Sequence, residues 1–470
     1  MNRLSQRLMR TWIAKGTRYM PFADAATPDL PLSRLLRLSL FQVAVGMALV
    51  LVVGTLNRVM IVELGVPAWI VGVMIALPVL FAPFRALIGF KSDNHRSELG
   101  WRRVPFMYRG TLTQFAGLSL MPFAILVLGD HGQAAHAPEW VGITAAAFAF
   151  LLVGAGLHTI QTVGLALATD LVAKESRPNV VGLMYVMLLL GMMGSALVFG
   201  WLLEDFTAGR LIQVIQASAL VTLGLMAVAL WKQEPRDSRR SAQPREAEPS
   251  FREAWTAFSS LPAAIRLLIA TGLGTMGFSM ADVLMEPYGG QILNMSVAGT
   301  TKLTATLAMG GLLGFGLASH VLRKGADPIR VALVGALAGG IGFGAVVGSG
   351  QIGSVPLFTI GTLLIGFGAG LFGHGTLTET MNRAPKEQTG LALGAWGAVQ
   401  ATGAGVAIAL GGVIRDGLMA LLGPGQANLA LAYHSVYLLE AGLLLATIVV
   451  MFPLLRRSKS DPTNGLARKA

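Results

Sequence analysis

Apolar residues run through this chain in blocks of about twenty, each closed by a short polar or charged stretch. A block of that length crosses the hydrocarbon of a bilayer as a helix. The pattern predicts twelve spans, at roughly 37–60, 67–88, 105–129, 141–170, 179–203, 211–231, 265–287, 300–321, 329–348, 354–378, 389–414 and 429–454. A charged, proline-containing stretch after the sixth span divides them. The predicted fold is therefore an all-α polytopic membrane protein, with twelve transmembrane helices in two six-helix pseudo-repeats. Its parts are an N-terminal arm (1–36), a first bundle (37–231), a linker (232–264), a second bundle (265–454) and a tail (455–470).

Composition agrees with this reading. Hydrophobic residues make up 54% of the chain and charged residues 13%, about half the share in soluble proteins. The net charge of +12 is distributed in a telling way. Arm, even-numbered loops and tail hold 29 lysines and arginines, whereas the opposite loops hold only Arg58, Arg210, Lys302 and Arg415. Such asymmetry is a topology signal. It predicts arm, linker and tail on the cytoplasmic side, and it argues against a nucleic-acid groove. With no cysteine there is no disulfide, thiolate chemistry or cysteine-based zinc site. No phosphate loop, metal triad or nucleophile elbow is present, so catalysis and a metal centre are not expected.

The interest lies in polar residues within the spans, because hydrocarbon cannot satisfy them. In the fourth span, His158, Gln161 and Thr162 share one helical face. The preceding Gly154-Ala155-Gly156-Leu157 is echoed 214 residues later by Gly368-Ala369-Gly370-Leu371, and a histidine follows each copy, His158 and His374. The echo suggests histidines contributed by matching places in the two halves. Near the ends of these spans, Asp170 and Glu379 precede Lys174 and Arg383 by four residues, the spacing of an ion pair on a helix. In the seventh span, Asp282 and Glu286 lie one turn apart. They suit an ion or proton path, a polar ligand contact, or a clamp against Arg58 or Lys302. Pro287, Gly289 and Gly290 then predict the end of that helix.

The loop after the second span, with Gly89, Asp93, Arg96, Arg102 and Arg103, resembles the signature of the major facilitator superfamily, with a few inserted residues and Asn94 where arginine is usual. Its physical sense is a latch, in which a carboxylate at a helix N-terminus is pinned by arginines. Three further stretches narrow the resemblance. They are Leu56-Asn57-Arg58-Val59-Met60-Ile61-Val62-Glu63-Leu64, the run from His158 to Asp170, and Asp282-Val283-Leu284-Met285-Glu286-Pro287-Tyr288-Gly289-Gly290. Together they resemble the bacteriochlorophyll-delivery branch of that superfamily, the PucC/LhaA family.

The resemblance implies an assembly factor for a light-harvesting complex, with the LH2 antenna as client, in the intracytoplasmic inner membrane of a photosynthetic bacterium. It implies bacteriochlorophyll as cargo, and antenna polypeptides and bacteriochlorophyll synthase as partners alongside the lipid bilayer. Neutral imidazole suits the central magnesium of the pigment, so His158, Gln161, Thr162 and His374 become candidate pigment-binding residues. A helix-to-helix hydrogen bond is the competing role for each histidine. Two other functions fit the same features: a proton-coupled transporter of a small solute using Asp282 and Glu286, and an assembly scaffold that holds no pigment.

Overall fold

The computed structural model describes residues 31–80, 88, 91–92, 101–129, 137–172, 177–234, 263–383 and 389–459. Among them are twelve helical elements: α1 Leu32–Glu63, α2 Ala68–Leu80, α3 Val104–Leu128, α4 Glu139–Asp170, α5 Arg177–Leu202, α6 Ala208–Leu230, α7 Ala264–Gln291, α8 Val297–Arg323, α9 Pro328–Ile352, α10 Val355–Arg383, α11 Thr389–Leu422 and α12 Gln426–Lys459. Eleven are long and apolar enough to cross a membrane, and the described part of α2 is shorter. Several helices overrun their apolar blocks, because a helix needs apolar residues only inside hydrocarbon and can continue into the polar layers.

Local chemistry fixes the starts. The Thr207 hydroxyl accepts from the Arg210 N–H to open α6, and the Ser296 hydroxyl accepts from Gly299 to open α8. Asp327 caps α9 with Pro328 in its first turn, where the missing N–H costs nothing. Gly353 ends α9 at φ +65°, a conformation that side chains resist.

Within each half, small residues bring helix backbones together. α4 lies against α3 and α10 against α9 through closely matched glycines. The halves meet along two seams, α2 against α11 and α5 against α8. At the first seam a Cβ on Gly412 would come within 2.5 Å of the Ala68 carbonyl oxygen, so only glycine allows that approach.

One end of the bundle, the basic end, carries Arg102, Arg103, Lys232, Arg323 and Arg383; Arg58, Glu63 and Arg415 mark the far end. Among the described residues, hydrogen bonds cross between the halves on the far-end side. The Thr55 and Thr301 hydroxyls are hydrogen-bonded to each other at 3.3 Å, and Asn57 Nδ2 donates to the Val283 carbonyl at 2.9 Å. Arg58 donates to the Met295 carbonyl at 3.1 Å, and the Trp69 N–H at the start of α2 donates to Asp416 at 2.8 Å.

Candidate functional site

The expected end of the seventh helix at Pro287 is not where it breaks. The helix continues through Pro287, Gly289 and Gly290 to Gln291 and is interrupted earlier, at Met280. Proline removes one N–H and leaves the carbonyl four residues back without its helical partner. That carbonyl belongs to Val283, and it is the one that Asn57 of α1 takes. The missing bond is thus replaced from the other half of the molecule, which lets the helix run on. At the true break, the freed N–H of Ala281 donates to Glu440 Oε1 of α12 at 2.7 Å. Glu440 is fully buried, and its Oε2 has no hydrogen-bond partner.

One stripe of α7, kept in helical register across the break at Met280, lines a cavity of about 450 Å3 between the halves. Thr275, Ser279, Asp282 and Glu286, spaced four, three and four residues apart, all line it. The rest of the wall is largely apolar and includes Val53 of α1, Met192 of α5, Leu307 and Phe315 of α8, and Phe372 of α10. At the wall the Thr304 hydroxyl donates to Glu286 Oε1. Glu286 Oε2 is buried and finds no hydrogen-bond partner, and the Thr275 hydroxyl is likewise buried and unpartnered. Asp282, one turn away, is half-buried. α1 makes room for Glu286 through wide, π-type turns over Val50–Leu56 and through Gly54. A Cβ on Gly54 would lie 2.5 Å from Glu286 Oε1.

Neither expected clamp partner holds the acids by a direct bond. The Arg58 guanidinium pairs with Glu63 and the Met295 carbonyl, while Lys302 is exposed and lies over Gly200 at the α5–α8 seam. The two carboxylates are therefore groups of the cavity wall.

The four candidate pigment-binding residues stand elsewhere. His158, Gln161 and Thr162 are half-buried on α4, and neither they nor His374 belong to the cavity wall. His374 is its neighbour: the imidazole packs edge-on against Phe315 with centroids 4.3 Å apart, and its Nδ1 is buried without a hydrogen bond.

The histidines also do not match in the repeat. Gly156 packs on Gly110 and Gln114 of α3 as Gly368 packs on Gly335 and Gly339 of α9. Gly117 meets Ala149 and Val153 as Gly342 meets Gly361 and Ile365. Ala149, Val153 and Gly156 thus correspond to Gly361, Ile365 and Gly368, an offset of 212 residues rather than 214. Two residues on a helix turn the side chain by about 200°. Gly370 therefore occupies the place of His158, and His374 the place of Thr162, so the sequence echo is out of structural register.

At the basic end, the two described arginines of the expected latch, Arg102 and Arg103, bind a carboxylate further along the chain. Gly89, Asp93, Arg96 and Lys174 lie outside the described residues. Arg102 and Arg103 pair with Asp170 at the end of α4, and Arg103 also donates to Ser92 at 2.6 Å. Asp170 is thus a latch residue, bound by arginines distant in sequence. The carboxylate at the N-terminus of α3 is Glu234, just past α6, which accepts from the N–H groups of Arg102, Arg103 and Val104 at 2.8–3.0 Å. Glu379 and Arg383 form the ion pair that their spacing anticipates.

Glu440, Glu234, Asn57 and Thr304 are absent from the sequence-based candidates. Glu440 carries a readable signal, a single carboxylate inside the last apolar block. Glu234 carries none, because its partners lie about 130 residues away.

Twelve helices in two bundles around a central cavity define the transporter fold of the major facilitator superfamily. A bacterial homologue of the human lysosomal transporter Spinster, in an inward-facing and occupied conformation, superposes with a TM-score of 0.66 at 14% identity, covering 92% of this chain and 98% of that one. The PUCC protein family matches residues 55–459, and the chain belongs to that family. Protein PucC of Cereibacter sphaeroides is 58% identical over 97% of this chain and 98% of its own length. Protein PucC of Rhodovulum sulfidophilum is 63% identical over 88% of this chain and 92% of its own. The chain is a multi-pass membrane protein.

Proposed function

We propose that this protein is a non-enzymatic assembly factor that holds bacteriochlorophyll and hands it to antenna polypeptides, those of LH2, in the inner membrane of a photosynthetic bacterium. The observation that carries the reading is the cavity, about 450 Å3 with a largely apolar wall, in a chain of the PUCC family. Its volume falls within the range of sites for organic ligands and suits a ring system better than a whole pigment with its tail. Methionines such as Met192 and Met285 give the wall a soft, adaptable surface. Arm, linker and tail face the cytoplasm in this reading, so pigment arrives from bacteriochlorophyll synthase on that side.

Asp282 and Glu286 favour a second reading, proton-coupled transport of a small solute, since intramembrane carboxylates serve as proton carriers. An absorption spectrum of the protein purified in mild detergent separates the two. Delivery predicts a far-red pigment band at stoichiometric level. A clean spectrum with pH-dependent solute uptake would establish transport instead, and antenna polypeptides co-purifying without pigment would establish a scaffold.

A further inference from the structure

We infer that the magnesium of the pigment is taken by a carboxylate of α7, with Glu286 as the anchoring ligand, and not by an imidazole of α4 or α10. The inference rests on the pigment-carrier reading above and names the contact within it. Four observations lead there. Glu286 lines the cavity, its Oε2 is buried with no hydrogen-bond partner, and its Oε1 is already held by Thr304. The Arg58 guanidinium bonds Glu63 and Met295, and Lys302 is exposed, so neither supplies a direct bond to that oxygen. Gly54 and the wide turns of α1 keep open the space that Glu286 occupies. The histidines proposed from the sequence are outside the wall and out of register with each other.

A buried carboxylate oxygen without a partner is costly unless a proton, a cation or a Lewis acid takes its lone pair. A proton alone gives no reason for a large apolar chamber around the oxygen. A bare divalent ion wants six or more hard ligands, and among the described residues no group of three metal-ligating side chains exists. A flat apolar macrocycle with magnesium at its centre answers both features. Its faces meet Val53, Leu307, Phe315 and Phe372, while the metal offers an open axial position to a hard anionic oxygen. Ligation donates one lone pair from Glu286 Oε2 into that position; no bond within pigment or protein breaks. Asp282, one turn along and half-buried, is the secondary contact. Thr275 and Ser279 extend the polar stripe beneath the ring edge.

The test measures retention of bacteriochlorophyll and of its magnesium-free form by purified protein, in wild type, Glu286→Gln, Glu286→His and the double variant His158→Phe/His374→Phe. Gel filtration and circular dichroism confirm that each variant is folded. Wild type is expected to prefer the magnesium pigment by about tenfold or more. Glu286→Gln should lose that preference while retaining the magnesium-free pigment, Glu286→His should restore it, and the double histidine variant should keep it. A Glu286→Gln protein that still prefers magnesium, or a double histidine variant that does not, overturns the assignment. Wild type that holds both pigments equally also overturns it but leaves the carrier reading intact. Wild type that holds neither ends both.

Discussion

The two halves of the molecule share a packing plan and differ in what they do with it. In the second half, α10 lies backbone to backbone against both neighbours: Gly361, Gly368 and Gly375 close on α9, and Gly366 and Gly370 close on α8. In the first half, α4 repeats the close approach to α3 through Gly156, but meets α2 through Gly154 against the ring of Pro78. His158 stands where α10 has Gly370. Chemistry is divided just as unevenly. The intramembrane carboxylates Asp282, Glu286 and Glu440 all belong to the second half, whereas the described acidic residues of the first half fall at or between helix ends. Duplication therefore supplies the frame, and one copy carries the polar wall of the cavity. The other copy contributes a mostly apolar face and the Asn57 that steadies α7.

The sharpest way to break this contrast is to give α10 the residue that α4 has. A Cβ at position 370 would lie 2.5 Å from the Gly311 carbonyl oxygen, part of a backbone held on both sides. Gly370→His should cost several kcal/mol, on the order of 3 or more, through overpacking. Thermal denaturation in detergent should show a large fall in Tm, with little protein reaching the membrane. A stable Gly370→His protein would mean that the α8–α10 contact is not the tight one described.

A second test concerns the carbonyl left over by Pro287. Asn57→Leu removes its donor and should destabilise by about 1–3 kcal/mol, the cost of an unsatisfied buried group. Pro287→Ala restores an N–H within the helix, so the double variant should recover most of that loss. Recovery is the informative outcome, because a purely steric effect of leucine at position 57 would be unchanged by alanine at 287. Glu440 allows a parallel test on the break one turn earlier. Glu440→Gln keeps an oxygen for the Ala281 N–H and should be nearly neutral, while Glu440→Leu should cost about 1–2 kcal/mol. Equal stability of the two would show that the cap at Ala281 contributes nothing.

These residues also mark where sequence reasoning stops. The twelve helices are legible because hydrocarbon thickness imposes a block length that needs no partner to interpret. Asp282 and Glu286 are legible as a pair, since i,i+4 spacing puts both on one face whatever surrounds them. The helix end at Pro287 is misread because a proline breaks a helix only when nothing replaces its bond, and Asn57 is 226 residues from Val283. The Gly-Ala-Gly-Leu echo misleads for a related reason. Glycines are common in this chain, 58 in all, and a matching string does not say which neighbour each glycine touches. Only the crossings with α3 and α9 fix the register. The arginines bound to Asp170 escape the sequence for the same cause, as they come from a segment 67 and 68 residues away.

The smallest effect is expected at the basic end, where the first half has a device with no described counterpart in the second. Glu234 accepts from three successive N–H groups at the start of α3, so it combines a cap with a charge at the positive end of a helix dipole. α9, the helix equivalent to α3, is capped instead by its own Asp327 through one N–H. Glu234→Gln keeps one oxygen and loses the charge, and it should cost about 0.5–1 kcal/mol, with salt weakening the difference from wild type. Asp327→Asn retains a capping oxygen and should cost a few tenths of a kcal/mol. The pair is best compared by hydrogen exchange at the first turns of α3 and α9. Faster exchange at residues 102–104 in Glu234→Gln, with α9 unchanged, would show that the α6–α3 junction depends on a carboxylate reaching across from another helix. Equal protection in both variants would reduce Glu234 to one surface acid among others and leave the contacts of Arg102 and Arg103 with Asp170 and Ser92 as the latch among the described residues.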